Sequence, residues 1–490
     1  MYASIACRSP LPDRQARQHP LLKKEKECMK RIISAVLALV LCLALFAGCG
    51  SSGSNTGSSS GSNSGGTLNV LFWSAPNQNQ FDYWQSKAEA FNATKTEYNG
   101  KVIQVTVEMT PETDSSEAAI QNAIATGTVP AVSENINSTF MRILAESSAI
   151  YELQDEPVYQ QIVKDRVMGS TVDGWAIDGK QYVIPLYINS VSLVWNVKAL
   201  AALGFDAPPV TMEDYYDVIR AYKDNQDKME QMGVIAMLPG ARLLKGSGYQ
   251  CGYDFQMQYA TFTQGGTWLT EDALTVDRDA MIKTMEFWGA LGSTAQLNAI
   301  DSPWTQENIP VLFDIGKPWD LSAYTEAGKV YGEDYVFATT PVEKAGDQAY
   351  CYADTKGITF YKASNITEEM HQGALAFIGW VYNAENAAQS DLDWIKATAM
   401  LPVRADISEN AAFADILAGN PALAYFGSNI TNAVQLPAFS FTDDVNVAFR
   451  AEGLIPYITE AVTHEALDTL DASAYVDAAI AAMKEAGKLN

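Results

Sequence analysis

The chain has 490 residues, roughly two to four folding units at the usual size of a domain. Hydrophobic residues are 48% and aromatics 10%, enough for sizeable cores, which excludes a wholly disordered chain. The formal charge of -25, from 33 basic and 58 acidic residues with no basic cluster beyond the N-terminal stretch, repels phosphate backbones and sets nucleic acid aside as a partner.

Met29-Lys30-Arg31 precede an apolar run from Ile32 to Phe46, followed by Ala47-Gly48-Cys49. A charged start, an apolar stretch and small residues before a break make a secretory signal, shorter than the ~20 residues of a membrane span. Leu45-Phe46-Ala47-Gly48-Cys49 resembles a bacterial lipobox, with Phe46 where Leu is usual. Cys49 is then the residue expected to carry lipid, a plain signal peptide being the alternative. Residues 1–28, with Pro10, Pro12, Pro20 and scattered charges, read as an extension upstream of a true start at Met29. Beyond residue 48 the chain carries 25 basic and 55 acidic residues, so the acidity belongs to the exported part. Gly50 to Gly66 contains only Gly, Ser, Asn and Thr, a flexible tether spanning roughly 20–25 Å. The expected plan is signal peptide 29–48, anchor and tether 49–66, then a body held outside the cytoplasmic membrane.

Thr67 to Phe72 reads as a buried strand, and Phe81, Trp84, Ala88 and Phe91 then recur at helical spacing. Val102 to Val107 alternates as a strand. Ala119, Ile120, Ala123 and Ile124 form a helical stripe ending near Gly127, and Met141, Leu144 and Ala145 begin another helix. Ile184 to Asn196 is extended. Thr211 and Asp214 have capping-box spacing ahead of the stripe Tyr215, Val218, Ile219 and Tyr222. Gly357 to Tyr361 is a later strand, Met370 to Val381 an amphipathic helix, and the Ala-rich tail from Glu460 is helical. Strands alternating with helices predict an α/β fold with parallel pairing.

Several segments carry a resemblance. The lipobox, the tether and the strand Leu68–Trp73 are similar to the start of a family 1 extracellular solute-binding protein of an ABC importer. Ala123-Ile124-Ala125-Thr126-Gly127-Thr128-Val129-Pro130 resembles the family's A-x-A-S-G-x-x-P-D. Asp178-Gly179-Lys180-Gln181-Tyr182-Val183-Ile184-Pro185 and Val194-Trp195-Asn196-Val197-Lys198-Ala199-Leu200 resemble D-G-K-x-Y-x-x-P and Y-Y-N-K-x-L. Gly316-Lys317-Pro318-Trp319 resembles a G-P-W turn, and Leu401-Pro402-Val403-Arg404 a late L-P-x-R segment. The matches run in order across the exported chain. Ala131 in place of Asp, and Lys317 inside the turn, depart from the pattern. The resemblance implies a two-lobe, type II periplasmic-binding-protein-like fold, with lobe 1 at 67–188 plus 337–368 and lobe 2 at 189–336 plus 369–490. Hinges are expected near Tyr187 and Ser364, and a ligand cleft between the lobes that closes on its solute.

A sugar offers apolar faces and a rim of hydroxyls, which flat aromatics and Asp, Asn or Arg side chains match. The expected ligand-binding residues are therefore Trp73, Ser74 and Asn79 after the first strand and Asn135 after the strand at Val132. Tyr187 and Asn189 follow on the crossing stretch, then Trp268 in a loop that resembles one facing the family's cleft, Trp319 in the turn resembling G-P-W, and Asp320 and Asp354 flanking turns near the second lobe's opening. Trp84, Trp288 and Trp380 lie in helical stripes and are expected in the core, and Arg404 in a structural ion pair. A Ser–His–Asp triad would need His371 or His464 as base, and both sit where packing or surface roles are expected. Two carboxylates suffice for glycoside hydrolysis, but nothing marks a pair. Cys251 and Cys351 either pair or stay as isolated thiols, and no CxxC or histidine cluster suggests a metal or other cofactor. The reading is a monomeric, lipid-anchored binding protein that captures a carbohydrate, an oligosaccharide, for a permease and performs no chemistry. A polyamine-binding protein of the same fold, a surface glycoside hydrolase and a passive adhesin are the alternatives.

Overall fold

The computed structural model describes residues 66–489 apart from 112–114, 239–254, 271, 297–299, 301, 408, 435–436, 438, 440 and 466–467. The upstream extension, the signal segment, Cys49 and the tether up to residue 65 lie outside them, as does Cys251. Residues 65–490 belong to one compact unit.

The first half of that unit alternates strands and helices, as the periodicity predicts. Strand β1 (Thr67–Ser74) leads into helix α1 (Gln78–Ala93), followed by β2 (Lys101–Met109), α2 (Ser116–Thr126), β3 (Val132–Ile136), α3 (Ser138–Glu146) and α4 (Pro157–Asp165). The boundaries have local causes. Asn77 Oδ1 accepts the amides of Asn79 and Gln80 at the head of α1, and Ser115 and Asn137 cap α2 and α3 in the same way. Gly127 ends α2 at a φ of 68°, a conformation that glycine adopts without a Cβ clash. Asn137 sets the start of α3, so Met141, Leu144 and Ala145 are its middle and end, not its beginning.

The 13-residue strand β4 (Ile184–Asn196) then carries the chain across. Later elements are α5 (Met212–Asp224), α6 (Arg278–Gly289), β5 (Phe313–Gly316), α7 (Leu321–Glu326), β6 (Tyr335–Ala338) and β7 (Cys351–Phe360). After them come α8 (Glu368–Val381), α9 (Ala387–Thr398), the short β8 (Leu401–Pro402) and α10 (Ser473–Gly487). The expected capping box is present: Asp214 accepts the Thr211 amide and Thr211 accepts that of Asp214. The tail is not one helix from Glu460. A helix ends at Ala461 and α10 starts only at Ser473.

Strand order in the main sheet is β8-β4-β7-β3-β1-β2, with Glu97–Tyr98 pairing beyond β2. β1 is parallel to β2 and β3, whereas β7 runs antiparallel to β3 and β4. The end of β4, Ser192–Asn196, pairs instead with β5 and β6.

Two large cores lie on either side of this crossing. Phe72, Trp84, Phe91, Val105, Val132, Ile184 and Leu186 belong to the first, and Val191, Leu193, Trp195, Tyr215, Trp288 and Phe313 to the second. A smaller cluster around Trp304, Phe337 and Phe426 adjoins the second lobe's strands. β4 therefore passes from one core to the other between Tyr187 and Val191. β7 makes the return, with Tyr352 in the second core and Ile358 in the first, and Met400–Leu401 crosses a third time. This corrects the expected boundaries. Residues 337–352 pack with the second lobe, and α8 and α9 with the first, through Leu375, Phe377, Ile378 and Trp394. The chain does not change lobes near Ser364. Those helices complete the first core because the side of β1 facing them is apolar and otherwise uncovered. At the β7 crossing the register shifts between Lys356 and Gly357. A Cβ on Gly357 would stand 2.0 Å from Val183 Cγ1, so only glycine lets the two crossing strands approach there.

A buried ionic network pins the crossings. Arg166, at the end of α4, donates to both carboxylate oxygens of Asp391 in α9 and to the carbonyls of Pro185 and Leu186 at 2.7 and 2.9 Å. Arg404, just past β8, donates to the other side of Asp391 at 3.0 Å and forks onto Asp406. Arg404 thus takes the structural ion-pair role expected for it. Replacing Asp391 by Ala would leave two guanidinium groups facing an apolar gap, a loss of about 3–5 kcal/mol. Urea unfolding of Asp391→Ala should show that loss, while Lys101→Ala, which breaks an exposed pair with Glu369, should change stability by under about 1 kcal/mol.

Candidate functional site

The floor of the candidate site is built by the two long crossing strands. In an antiparallel pair, residues directly opposite share a face. The register sets Tyr187 opposite Lys356, Asn189 opposite Asp354 and Val191 opposite Tyr352. One face of β4 and β7 therefore carries a row of four polar side chains between the two apolar cores. All four are buried. The Lys356 ammonium lies 3.7 Å from Asp354, so the floor holds a charge pair. Asn189 has no exposed surface, and neither its Nδ2 nor its Oδ1 has a hydrogen-bonding partner among the described residues.

The first lobe supplies a wall. Asn135, at a φ of 68° near the end of β3, accepts the Tyr187 hydroxyl at 3.2 Å. Tyr187 stacks on Trp394 with ring centroids 5.6 Å apart, and burial raises its pKa well above the ordinary range. Trp73, next to last in β1, is almost fully buried, and its indole N–H has no partner among the described residues. From the second lobe, Trp319 packs against both cores. Lys317 Nζ sits 5.8 Å over its ring and 3.3 Å from Asp320. Asn79, in the first turn of α1, reaches Ser322 of α7 at 3.4 Å and so links the lobes directly.

Eight of the ten expected residues thus lie on the floor, the first-lobe wall or the facing turn. Two do not join the group as expected. Ser74 is fully buried and its hydroxyl is committed to the Ala75 carbonyl at 3.1 Å. Trp268 stands in the second core, edge-on to Tyr259 at 5.1 Å and against Phe449. Of the tryptophans expected in cores, Trp84 and Trp288 are there, while Trp380 is only partly buried.

Three residues of the site escaped the sequence reading. Glu134 of β3 is buried, accepts the Ala75 amide at 3.0 Å on Oε1 and the Gln80 amide at 3.4 Å on Oε2. Burial pushes its carboxyl up to about 8, the Ala75 N–H only partly offsetting this, so at neutral pH it holds its proton. The signal was there: Glu134 lies in phase with Val132 and Ile136, an acid on the apolar face of a strand. Gln80 likewise extends the buried stripe Trp84, Ala88, Phe91. Lys356 interrupts a run, Cys351 to Phe360, that is buried throughout.

The histidines stand elsewhere. His371 is buried and stacked on Tyr151 at 3.7 Å, and burial lowers its pKa to about 4. His464 lies 3.5 Å from Asp468. Cys351 is a buried free thiol, 3.1 Å from the Ser192 hydroxyl. No group of three or more His, Cys, Asp or Glu suited to a metal occurs among the described residues, and no helix among them is long and apolar enough to cross a membrane.

The same architecture recurs in solved structures. An uncharacterized protein from Listeria monocytogenes EGD-e is 27% identical, with 86% of this chain and 98% of that one covered at a TM-score of 0.66. A cyclic alpha-maltosyl-1,6-maltose binding protein from Arthrobacter globiformis is 17% identical over 86% and 100% at 0.64. The Thermus thermophilus maltotriose binding protein, bound with maltotriose, is 15% identical over 85% and 99% at 0.58. These likenesses identify a mixed α/β, maltose-binding-protein-like type II fold. No curated protein matches the sequence. The model of the family described as bacterial extracellular solute-binding protein matches residues 88–422, and with more than half of its length so matched, this chain belongs to that family.

Proposed function

We propose that the chain captures a neutral carbohydrate, an oligosaccharide, in the cleft over β4 and β7, and that it delivers this solute to an ABC permease while tethered through a lipid on Cys49. The observation that carries the solute reading is the Asn189 amide. A buried amide without partners costs roughly 1–3 kcal/mol, and a hydroxyl-bearing ligand, both donor and acceptor, satisfies its two ends at once. The surroundings agree. Asp354 and Lys356 offer an acceptor and a donor, Tyr187 and Asn135 offer one more of each, and Trp73 and Trp319 provide flat apolar surface for a sugar face.

Charge argues for a neutral solute. Each carboxylate of the cleft stands beside a lysine, Asp354 by Lys356 and Asp320 by Lys317, and Glu134 is protonated near neutral pH. A polyamine would find no unpaired carboxylate pair to grip, so the net acidity of the chain reads as solvated surface. A hydrolase is disfavoured on the same geometry, because Glu134, the one acid there with a raised pKa, is buried with both oxygens engaged by Ala75 and Gln80. The binding-protein fold, and the sugars named for two of its structural relatives, support the carbohydrate class; the exported, Gly/Ser-tethered plan of residues 29–66 supports the lipid anchor and a membrane partner.

Thermal unfolding of the body from Thr67 against mono- and oligosaccharides, polyamines and amino acids tests the reading. A solute at about a thousand times its Kd adds roughly 4 kcal/mol, a rise of several degrees. A saturable shift with one sugar series recovered intact is expected. A shift from polyamines alone removes the carbohydrate claim, and recovery of cleaved sugar removes the claim that no chemistry occurs.

The orphaned amide makes a sharper prediction with opposite signs. Asn189→Leu removes an unsatisfied polar group, so the ligand-free body should keep or slightly raise its Tm. The same change should weaken binding of the shifting solute by about 10- to 100-fold. Calorimetric titration beside the melting curve decides it, and a Tm loss with unchanged affinity would assign Asn189 to packing.

A further inference from the structure

Glu134 is the one cleft acid without a basic neighbour. No lysine or arginine among the described residues pairs with it, yet it is buried at the junction of three elements. Its Oε1 holds the amide of Ala75 in the loop between β1 and α1. That loop follows Trp73 and leads into Asn77, the residue that caps α1. Its Oε2 meets Gln80 one turn into α1, and Gln80 in turn lies beside the Tyr187 hydroxyl, which is bonded to Asn135. A polar chain therefore runs from the Trp73 loop through Glu134 and Gln80 to the crossing strand β4.

Resting on the reading of this cleft as a solute site, we propose that Glu134 is the positioning residue of its first-lobe wall, holding the Trp73–Asn77 loop against β3 and β4 in the shape that receives the solute. The anchor is a neutral acid at physiological pH. The titratable groups that face it are Tyr187 from β4 and Tyr382 after α8, both raised by burial, with Asp354 and Lys356 of β7 beyond Tyr187. None of them supplies a compensating cation at its carboxyl. Loss of the proton leaves a charge that the N–H groups of Ala75, Gln80 and Trp84 offset only in part against its burial. The sign follows from linkage. The folded protein keeps a proton that an unfolded glutamate has released, so the stabilisation Glu134 confers is complete below pH 4.5 and lost as pH rises through about 8.

Two readouts on the body from Gly65 test this, with maltotriose as the binding probe. In samples labelled with ¹⁵N at tryptophan and alanine, the Trp73 indole and Ala75 amide signals should titrate together with a midpoint near pH 8. In Glu134→Gln, which keeps the acceptor and cannot ionise, that titration should vanish. Calorimetry should show maltotriose binding kept in Glu134→Gln and weakened about tenfold in Glu134→Ala. Signals that do not move near pH 8, or that move equally in Glu134→Gln, overturn the proposal whatever the ligand. Should maltotriose fail to bind the parent at any pH, it is the choice of probe that falls, and the two signals still decide the role of Glu134. Should Glu134→Ala fail to fold, the comparison with Glu134→Gln stands alone.

Discussion

Two of the three crossings in this molecule are tied to one buried group, the Asp391 carboxylate. It takes hydrogen bonds from two arginines that arrive from different parts of the chain, Arg166 from α4 and Arg404 from beyond β8. Arg166 also grips the first carbonyls of β4 and lies 4.5 Å over the Tyr382 ring. Burying three charges gains little net stability over an apolar packing of the same shape. What it provides is direction. Each guanidinium has one planar set of donors, so the start of β4, the first half of α9 and the segment after β8 are locked in a single arrangement. Two of the three crossings therefore begin from the same rigid point.

The cleft grows out of that point. β4 leaves the network at Leu186, and the next residues of its polar face are Tyr187 and Asn189, before the strand enters the second core at Val191. Where the strand changes cores, its polar side chains are buried between the two, and buried polar groups are tolerated where partners complete them.

Much of this was legible in the sequence, and the gaps have physical reasons. β1, α1, β4, α5 and α8 follow from periodicity because each buries one face or both in a continuous core. The ordered short motifs pointed to the fold, and the extended stretch at Tyr187 marked the first crossing. The second was misplaced because Gly357–Tyr361 looks like any strand, and nothing local says that α8 and α9 return to the first core; only the uncovered face of β1 does. Trp268 was misread for the opposite reason. A tryptophan after a Gly-Gly loop looks exposed, but Gly265, at a φ of 94°, turns the chain back so that the ring faces Phe449. Glu134, Gln80 and Lys356 were missed because the stripes were traced through apolar residues alone, and a polar residue in phase with a buried strand or helix marks a site.

The position of Trp319 has a consequence for how affinity here is composed. Its indole touches both cores, so on the proposed carbohydrate reading the apolar contact that a sugar face would make with it is partly made by protein. A solute entering between Trp319 and the first lobe trades one set of contacts for another, and the observed affinity is the difference between the two. Such a site rewards a partner that fits the indole better than the first lobe does, and it gives a poorly shaped solute almost nothing, since the vacated contacts must be repaid first. Discrimination then comes from competition with the protein's own wall, before any hydroxyl is read.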